Sequence, residues 1–301
     1  MQEIAPGIFV ESKYPPYNLG LILTQNGPIV VDIPPRPSHA WAWQQQVEQI
    51  AGTPRYAVIT DAAPERQIAA SLWNVPLIAA TATLRTIAAY DEREWRDMLQ
   101  GFIAQHPEEA EALARIRPHP PTLAFDVRFL MHYRTPPMEL EIIAGAAPGS
   151  LWITLPEHGL LFAGDSVIVD EPPPLDHAPD SKAWLNTLGA LAHHATIRQI
   201  VPGRGKAPIQ HGDIEPQREF LRVMRRAART LAANNGIRLA QYAQDLGQTF
   251  YNPKGQKAVK CIKVGLEHLI AEIQQARTTP DDEGGEWRIV NGEWQMANGK
   301  W

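Results

Sequence analysis

His177 stands between Asp176 and Asp180, and His211 precedes Asp213 by two residues. Imidazole beside carboxylate can ligate a metal or relay a proton, so these are the strongest candidates among the ten histidines. A solvated loop residue is the plainer reading of each. His193 and His194 close a helical pattern, where the helix dipole alone favours them, and His39, His106, His119, His132, His158 and His268 show no paired spacing. Nucleophilic chemistry has less to work with. Cys261 falls among Val259, Ile262 and Val264 in a helical run, the setting of an inert thiol, and Ser150 and Ser166 have no triad order. No Gly-X-Ser-X-Gly elbow, Walker loop or dinucleotide fingerprint occurs. A single cysteine also excludes an internal disulfide framework and any Cys-rich zinc module.

The elements that would position these groups follow from composition and pattern. With 301 residues, 44% hydrophobic and 20% charged, the chain folds rather than stays disordered, as one large layered domain with appendages. It has neither the apolar run of a membrane span nor a signal-peptide start, so a soluble, cytoplasmic protein without membrane contact is expected. Short apolar runs at 8–10, 19–23 and 29–32, the last pair around an Asn26-Gly27 turn, read as strands. A helix over 38–51 and a strand at 56–60 make a crossover, repeated by a helix over 65–73 and a strand at 76–79. Residues 81–118 read as an inserted helical lid. Strands return at 127–131, 140–143, 151–155 and 160–163, then a helix at 181–192 and a strand at 199–201. Three prolines in a row, Pro172 to Pro174, keep their loop at the surface.

Two β-rich halves with helices outside predict an α/β, four-layer αββα sandwich over 1–214. Long helical patterns at 216–234, 236–249 and 253–276 predict a C-terminal helical extension over 215–277. A linker and a Trp-rich hairpin fill 278–301, with Asn291-Gly292 at the turn.

The segments Ile29-Val30-Val31-Asp32, Ala57-Val58-Ile59-Thr60, Gly145-Ala146-Ala147-Pro148-Gly149-Ser150, Leu161-Phe162-Ala163-Gly164-Asp165 and Ile200-Val201-Pro202-Gly203-Arg204-Gly205 resemble successive signatures of the metallo-β-lactamase superfamily, in order. The resemblance covers about residues 1–230. It implies a site for two metal ions, usually zinc, whose bridging hydroxide performs hydrolysis. The family's His-X-His-X-Asp-His motif stands here as Asp61-Ala62-Ala63-Pro64-Glu65-Arg66. Its later motif histidines correspond to Ala146 and Arg204, and only the bridging aspartate, Asp165, matches.

A degenerate site is therefore implied. Ala63 and Ala146 offer a metal nothing, and Arg66 and Arg204 bring permanent cations. The expectation is an internal salt-bridge network of Arg66 and Arg204 against Asp61, Glu65 and Asp165, with no cofactor, the old cleft serving as a pocket for a small anionic ligand. The protein is then non-catalytic or weakly active and works through binding or assembly. Two alternatives stay open: Asp61 and Glu65 could serve only the helix that Pro64 begins and Gly164-Asp165 be only a turn; or one divalent cation could sit on Asp61, Glu65 and Asp165 of a hydrolase with a mononuclear or relocated site. In this fold Asp176, His177 and Asp180 would line the cleft mouth, with His211 after the Arg204 turn.

Residues 216–263 carry ten cations against Glu219 and Asp245, and Arg218, Arg222, Arg225 and Arg229 recur at helical spacing. A net charge of −5 and the absence of interleaved aromatics argue against nucleic acid as the partner. A solvated face, or a match to the acidic tail at Asp281, Asp282 and Glu283, suffices. Trp287, Trp294 and Trp301 give the terminal hairpin more aromatic area than it can bury alone, so it should dock, on its own chain or in a homodimer.

Overall fold

The computed structural model describes residues 1–132, 137–234, 237–251, 255–278, 287–290 and 293–296, with the side chains at 255–257, 277–278 and in the last two segments excepted. The first sheet holds β1 (Gln2–Ala5), β2 (Ile8–Glu11), β3 (Leu19–Ile22), β4 (Ile29–Val31), β5 (Tyr56–Val58), β6 (Leu77–Ala80) and β7 (Leu123–Phe125) in that order. Pairing is antiparallel from β1 to β4 and parallel from β4 to β7, because α1 (Pro37–Ala51), α2 (Pro64–Ala70) and a longer insertion serve as crossovers. The second sheet holds β8 (Arg128–Met131), β9 (Met138–Ile142), β10 (Leu151–Leu155), β11 (Leu160–Ile168) and β12 (Gln199–Arg204). Its single parallel pair, β11 with β12, is bridged by α6 (Ser181–Ala192).

Side-chain alternation places the layers. Ile29 and Val31 of β4, Val58 of β5 and Ile78 of β6 meet Leu140, Ile153, Phe162 and Val201 of the second sheet in one buried cluster. Their neighbours Val30, Ala57, Leu77 and Ala79 face the opposite way, against Trp43 and Val47 of α1. Both faces of the central strands are buried, which is why they read as unbroken apolar runs. The outer face of the second sheet is covered by α6, α7 (Glu215–Ala233), α8 (Leu239–Tyr251) and α9 (Gly255–Thr278), with Trp184, Phe220 and Leu266 in one cluster with Leu161 and Ile200. The four-layer α/β sandwich is thus the observed architecture, and apolar packing continues from the second sheet across residue 214 into the long helices.

The insertion carries α3 (Thr81–Ala89), α4 (Glu92–Gln105) and α5 (Ala110–Leu113). Asp91 and Glu94 close a reciprocal capping box on α4. Glu109, just before α5, reaches across to α1: it accepts from the Ser38 amide at 3.2 Å and from the Ser38 hydroxyl, and pairs with Arg36 at 3.3 Å. That carboxylate caps an α1 whose own N-cap, Arg36, makes no capping bond, and it ties the insertion to the first helix layer.

Three expectations change. The strands β1 and β7 are additional, and β11 runs to Ile168 rather than Ala163, so Asp165 sits within a bent strand and not in a turn; Gly164, at φ +52°, makes the bend. Arg225 also leaves the expected basic stripe: it is buried and pairs with Glu272 of α9 at 3.1 Å, while Arg222 is bound by Glu215 and Glu219 of its own helix. The acidic residues expected to match the stripe, 281–283, lie outside the described residues, as do the Asn291-Gly292 turn and Trp301. In the terminal hairpin, β13 (Trp287–Val290) pairs antiparallel with β14 (Glu293–Met296). The side chains of Trp287 and Trp294 are likewise outside the description, so the hairpin's docking stays an expectation. Among the described residues no helix is long and apolar enough to cross a membrane.

Candidate functional site

The ends of β4, β5 and β12, the middle of β11 and the first turn of α2 converge at one edge of the sandwich. Parallel strands deliver their following loops to the same edge, where open α/β sheets place their sites. β4 delivers Asp32, the segment after β5 delivers Thr60 and Asp61, β11 delivers Asp165, β12 delivers Arg204, and α2 contributes Glu65 and Arg66.

Arg66 occupies the centre and is 1% exposed. Its Nη2 donates to Asp165 Oδ1 at 2.8 Å, its Nε lies 3.0 Å from Asp61 Oδ2 and its Nη1 3.4 Å from Asp32 Oδ2. Only the Asp165 contact has hydrogen-bond alignment; the other two are charge pairs. Arg204 takes the second oxygen of Asp165, Nε and Nη2 both at 2.9 Å, and its Nη2 lies 3.6 Å from Glu65. Asp165 thus bridges two guanidinium groups. The ring of Tyr17 lies beneath both, its centroid 4.0 Å from the guanidinium carbon of Arg66 and 5.1 Å from that of Arg204. The Tyr17 hydroxyl donates to Glu65 at 3.3 Å.

Several supports hold this arrangement. Asp32 adopts φ +58° and accepts from the Thr60 amide and hydroxyl at 3.0 and 2.8 Å, which fixes its carboxylate toward Arg66. Asn18, buried, donates to the carbonyls of Pro202 and Gly205 at 2.9 and 3.0 Å and so pins the turn that presents Arg204. Gly203 allows the backbone of β12 to approach Asp165: a Cβ there would overlap the Asp165 carboxylate and lie 2.5 Å from the Gly164 carbonyl carbon. Gly203→Ala is expected to cost about 1–3 kcal/mol through this overpacking, measured by urea denaturation. A neutral effect would mean that the two strands part easily.

Electrostatics divide the carboxylates. Burial pushes Asp61 up to about 7, with Asp165 and Asp32 adding repulsion that Arg66 only partly offsets. Burial likewise raises Asp32 above its ordinary value. For Asp165 the same burial penalty is outweighed by Arg204 and Arg66, which hold it below the usual carboxylate range. Burial, reinforced by Glu65, pushes the Tyr17 phenol well above its ordinary value, so it remains a neutral donor.

Of the residues singled out from sequence, Asp61, Glu65, Arg66, Asp165 and Arg204 are brought together. Ala63 and Ala146 line the adjoining cleft, as do Asp176 and His177 from the loop after β11. Asp180 instead caps α6, accepting from the amides of Lys182 and Ala183, and His211 lies in the short helical turn His211–Ile214 without lining the cleft. Asp61 and Glu65 are not mere helix caps: Asp61 accepts the Ala63 amide but faces Arg66, and Glu65 faces Arg204. Ser150 and Ser166 are spent on local structure, donating to the carbonyls of Ala147 and Ala163. Sequence reasoning missed Asp32 and Tyr17 as members. A charged residue ending the apolar β4 run was the available signal for Asp32; Tyr17 had none.

The donor set does not fit a dication. The point toward which Asp32, Asp61 and Asp165 converge is filled by a guanidinium, and no group of three His, Cys, Asp or Glu is disposed to hold a metal among the described residues. Both arginines on which the expected anion pocket depends are engaged: four carboxylates face Arg66 and Arg204.

No protein-family model and no curated protein sequence matches the chain. Solved structures do. The metallo-β-lactamase family protein TTHA1429 from Thermus thermophilus superposes with a TM-score of 0.62 at 16% identity, covering 91% of this chain and 95% of that one. The DIM-1 metallo-β-lactamase gives 0.56 at 13% identity, over 74% of this chain and 96% of its own. The inverting sec-alkylsulfatase Pisa1 from Pseudomonas sp. gives 0.61 at 15% identity, over 90% of this chain and 49% of its own. The chain has the metallo-β-lactamase fold.

Proposed function

We propose that this metallo-β-lactamase-fold chain is a non-catalytic member of the fold, in which arginine guanidinium groups take the electrostatic place of the metal ions and the cleft serves binding or assembly. The observation that carries this reading is Arg66, buried among Asp32, Asp61 and Asp165. A guanidinium there neutralises charge and fixes three strands, yet it has no open coordination position and cannot activate water as a zinc ion does. Alanine at 63 and 146 supports the same reading from the ligand side, since neither side chain can donate to a metal.

Metal analysis tests it. Protein dialysed against zinc and then desalted should contain well under one zinc, iron or manganese per chain, and Asp165→Ala should leave that content unchanged. Stoichiometric metal that disappears on Asp165→Ala would overturn the reading in favour of a hydrolase using one cation on Asp61, Glu65 and Asp165.

A further inference from the structure

The cleft beside the charge network has a volume of about 330 Å³. That is at the small end of ligand sites, which run about 300–1,000 Å³. Its lining is of two kinds. Ile68 of α2, Met98 and Phe102 of α4 and Pro174 of the proline loop are apolar. Asp61, Glu65, Asp165 and Asp176 bring carboxylates, and Arg204 and His177 line the same cleft. Such a concave site, mostly apolar with a few convergent polar groups, is the usual build of a small-molecule pocket.

The sign of its charge follows from the pairing. Arg66 is enclosed by three aspartates, and Arg204 by Asp165 on two nitrogens with Glu65 beside it. Two cations therefore face four carboxyl groups, Asp32, Asp61, Asp165 and Glu65, of which burial leaves Asp61 only partly ionised near pH 7. Asp176 adds a fifth carboxylate, 3.6 Å from His177. Glu65 and Asp176 have side chains 40% and 41% exposed, and the contacts described fall on Oε2 of Glu65 and Oδ2 of Asp176, which leaves Oε1 and Oδ1 for a ligand, whereas Arg204 is only 17% exposed. An anion entering here would meet unmatched negative charge and no free guanidinium fork.

We infer that the cleft takes a small organic cation with an apolar body, a primary amine or a quaternary ammonium compound, its charge between Glu65 and Asp176 and its body against Met98 and Phe102. The inference rests on the proposed absence of a metal dication, which would reverse the sign of the site. Gly101 of α4 adds a steric feature: it lines the cleft, and a Cβ built on it meets nothing within 4 Å. The lid thus leaves open the volume that the ligand's body would fill.

Phenethylamine and benzyltrimethylammonium, with hydrocinnamate as the shape-matched anion, are titrated calorimetrically into the whole chain at low salt with a chelator present. The cations are expected to bind at least tenfold more tightly than hydrocinnamate. Glu65→Gln and Asp176→Asn should each weaken them about fivefold, an exposed charge's usual worth, and Gly101→Phe should abolish saturable binding by filling the cleft. Circular dichroism confirms that each variant is folded. Equal or tighter binding of hydrocinnamate, no saturable binding of either cation at millimolar concentration, or indifference to both charge-removing variants would overturn the inference. Metal content of the same sample separates the two failures: stoichiometric transition metal defeats the reading on which the inference rests, while metal-free protein that ignores the cations defeats the inference alone.

Discussion

Arg66→Met should be the most damaging single substitution in the site. It leaves Asp32, Asp61 and Asp165 buried and facing one another, with Arg204 reaching only Asp165. Removing one partner of a buried ion pair costs about 3–5 kcal/mol. Asp32 and Asp61 lose the cation that faces them and Asp165 one of its two, so the upper end of that range is expected, a large share of a domain's usual 5–15 kcal/mol. At pH 7.5 the variant should unfold at much lower urea concentration or fail to fold. Arg66→Lys should fall between, because an ammonium keeps the charge but lacks the planar fork that meets three carboxylates. Adding Asp32→Asn, Asp61→Asn and Asp165→Asn to Arg66→Met should recover part of the loss, since uncompensated charge rather than lost volume is the cause. An Arg66→Met protein as stable as the parent would show that the aspartates do not need the guanidinium.

Why the layers were legible in sequence, and the network only in part, has a physical basis. Central strands buried on both faces must be apolar throughout, so β3 to β6, β10 and β11 stand out as runs, and helices such as α6 announce themselves by period and caps. Edge strands bury one face or less. Leu123 and Ala124 of β7 and Gln2 and Glu3 of β1 are exposed, which left those strands no pattern to read. At the site, the pairing of Arg66 and Arg204 with Asp61, Asp165 and Glu65 followed from the resemblance, because a positive ligand position beside negative ones predicts an ion pair. Asp32 and Tyr17 complete it through contacts 34 and 49 residues away in sequence from Arg66, and no local periodicity encodes such a distance. The anion expectation counted the two arginines as free, and only the three-dimensional arrangement shows how many carboxylates surround them.

This surplus of buried negative charge has a consequence in pH. Asp61 is held at about 7 in the folded protein, against an ordinary value of 3.8. Between those values the folded state binds a proton that the unfolded state has released, so stability falls as pH rises through the window. Its contribution is fully present below pH 4 and lost by about pH 7. Three pKa units correspond to about 4 kcal/mol at most, and Asp32, raised in the same direction, adds to the slope. Asp165 acts oppositely: its depressed value stabilises the fold above the ordinary carboxylate range, and that stabilisation is lost on acidification. Between pH 5 and 8 Asp165 stays ionised in both states; His39, lowered by burial, opposes the trend, but the larger Asp61 shift governs. The parent protein should therefore be more stable at pH 5 than at pH 8 by a few kcal/mol. Asp61→Asn cannot ionise and should flatten most of that slope, whatever constant offset its altered contacts with Arg66 and the Ala63 amide impose. Urea unfolding at several pH values measures both quantities. A parent curve that rises toward pH 8 would mean that Arg66 compensates the buried aspartates in full, and a slope that survives Asp61→Asn intact would mean that another group, Asp32 first among them, sets it.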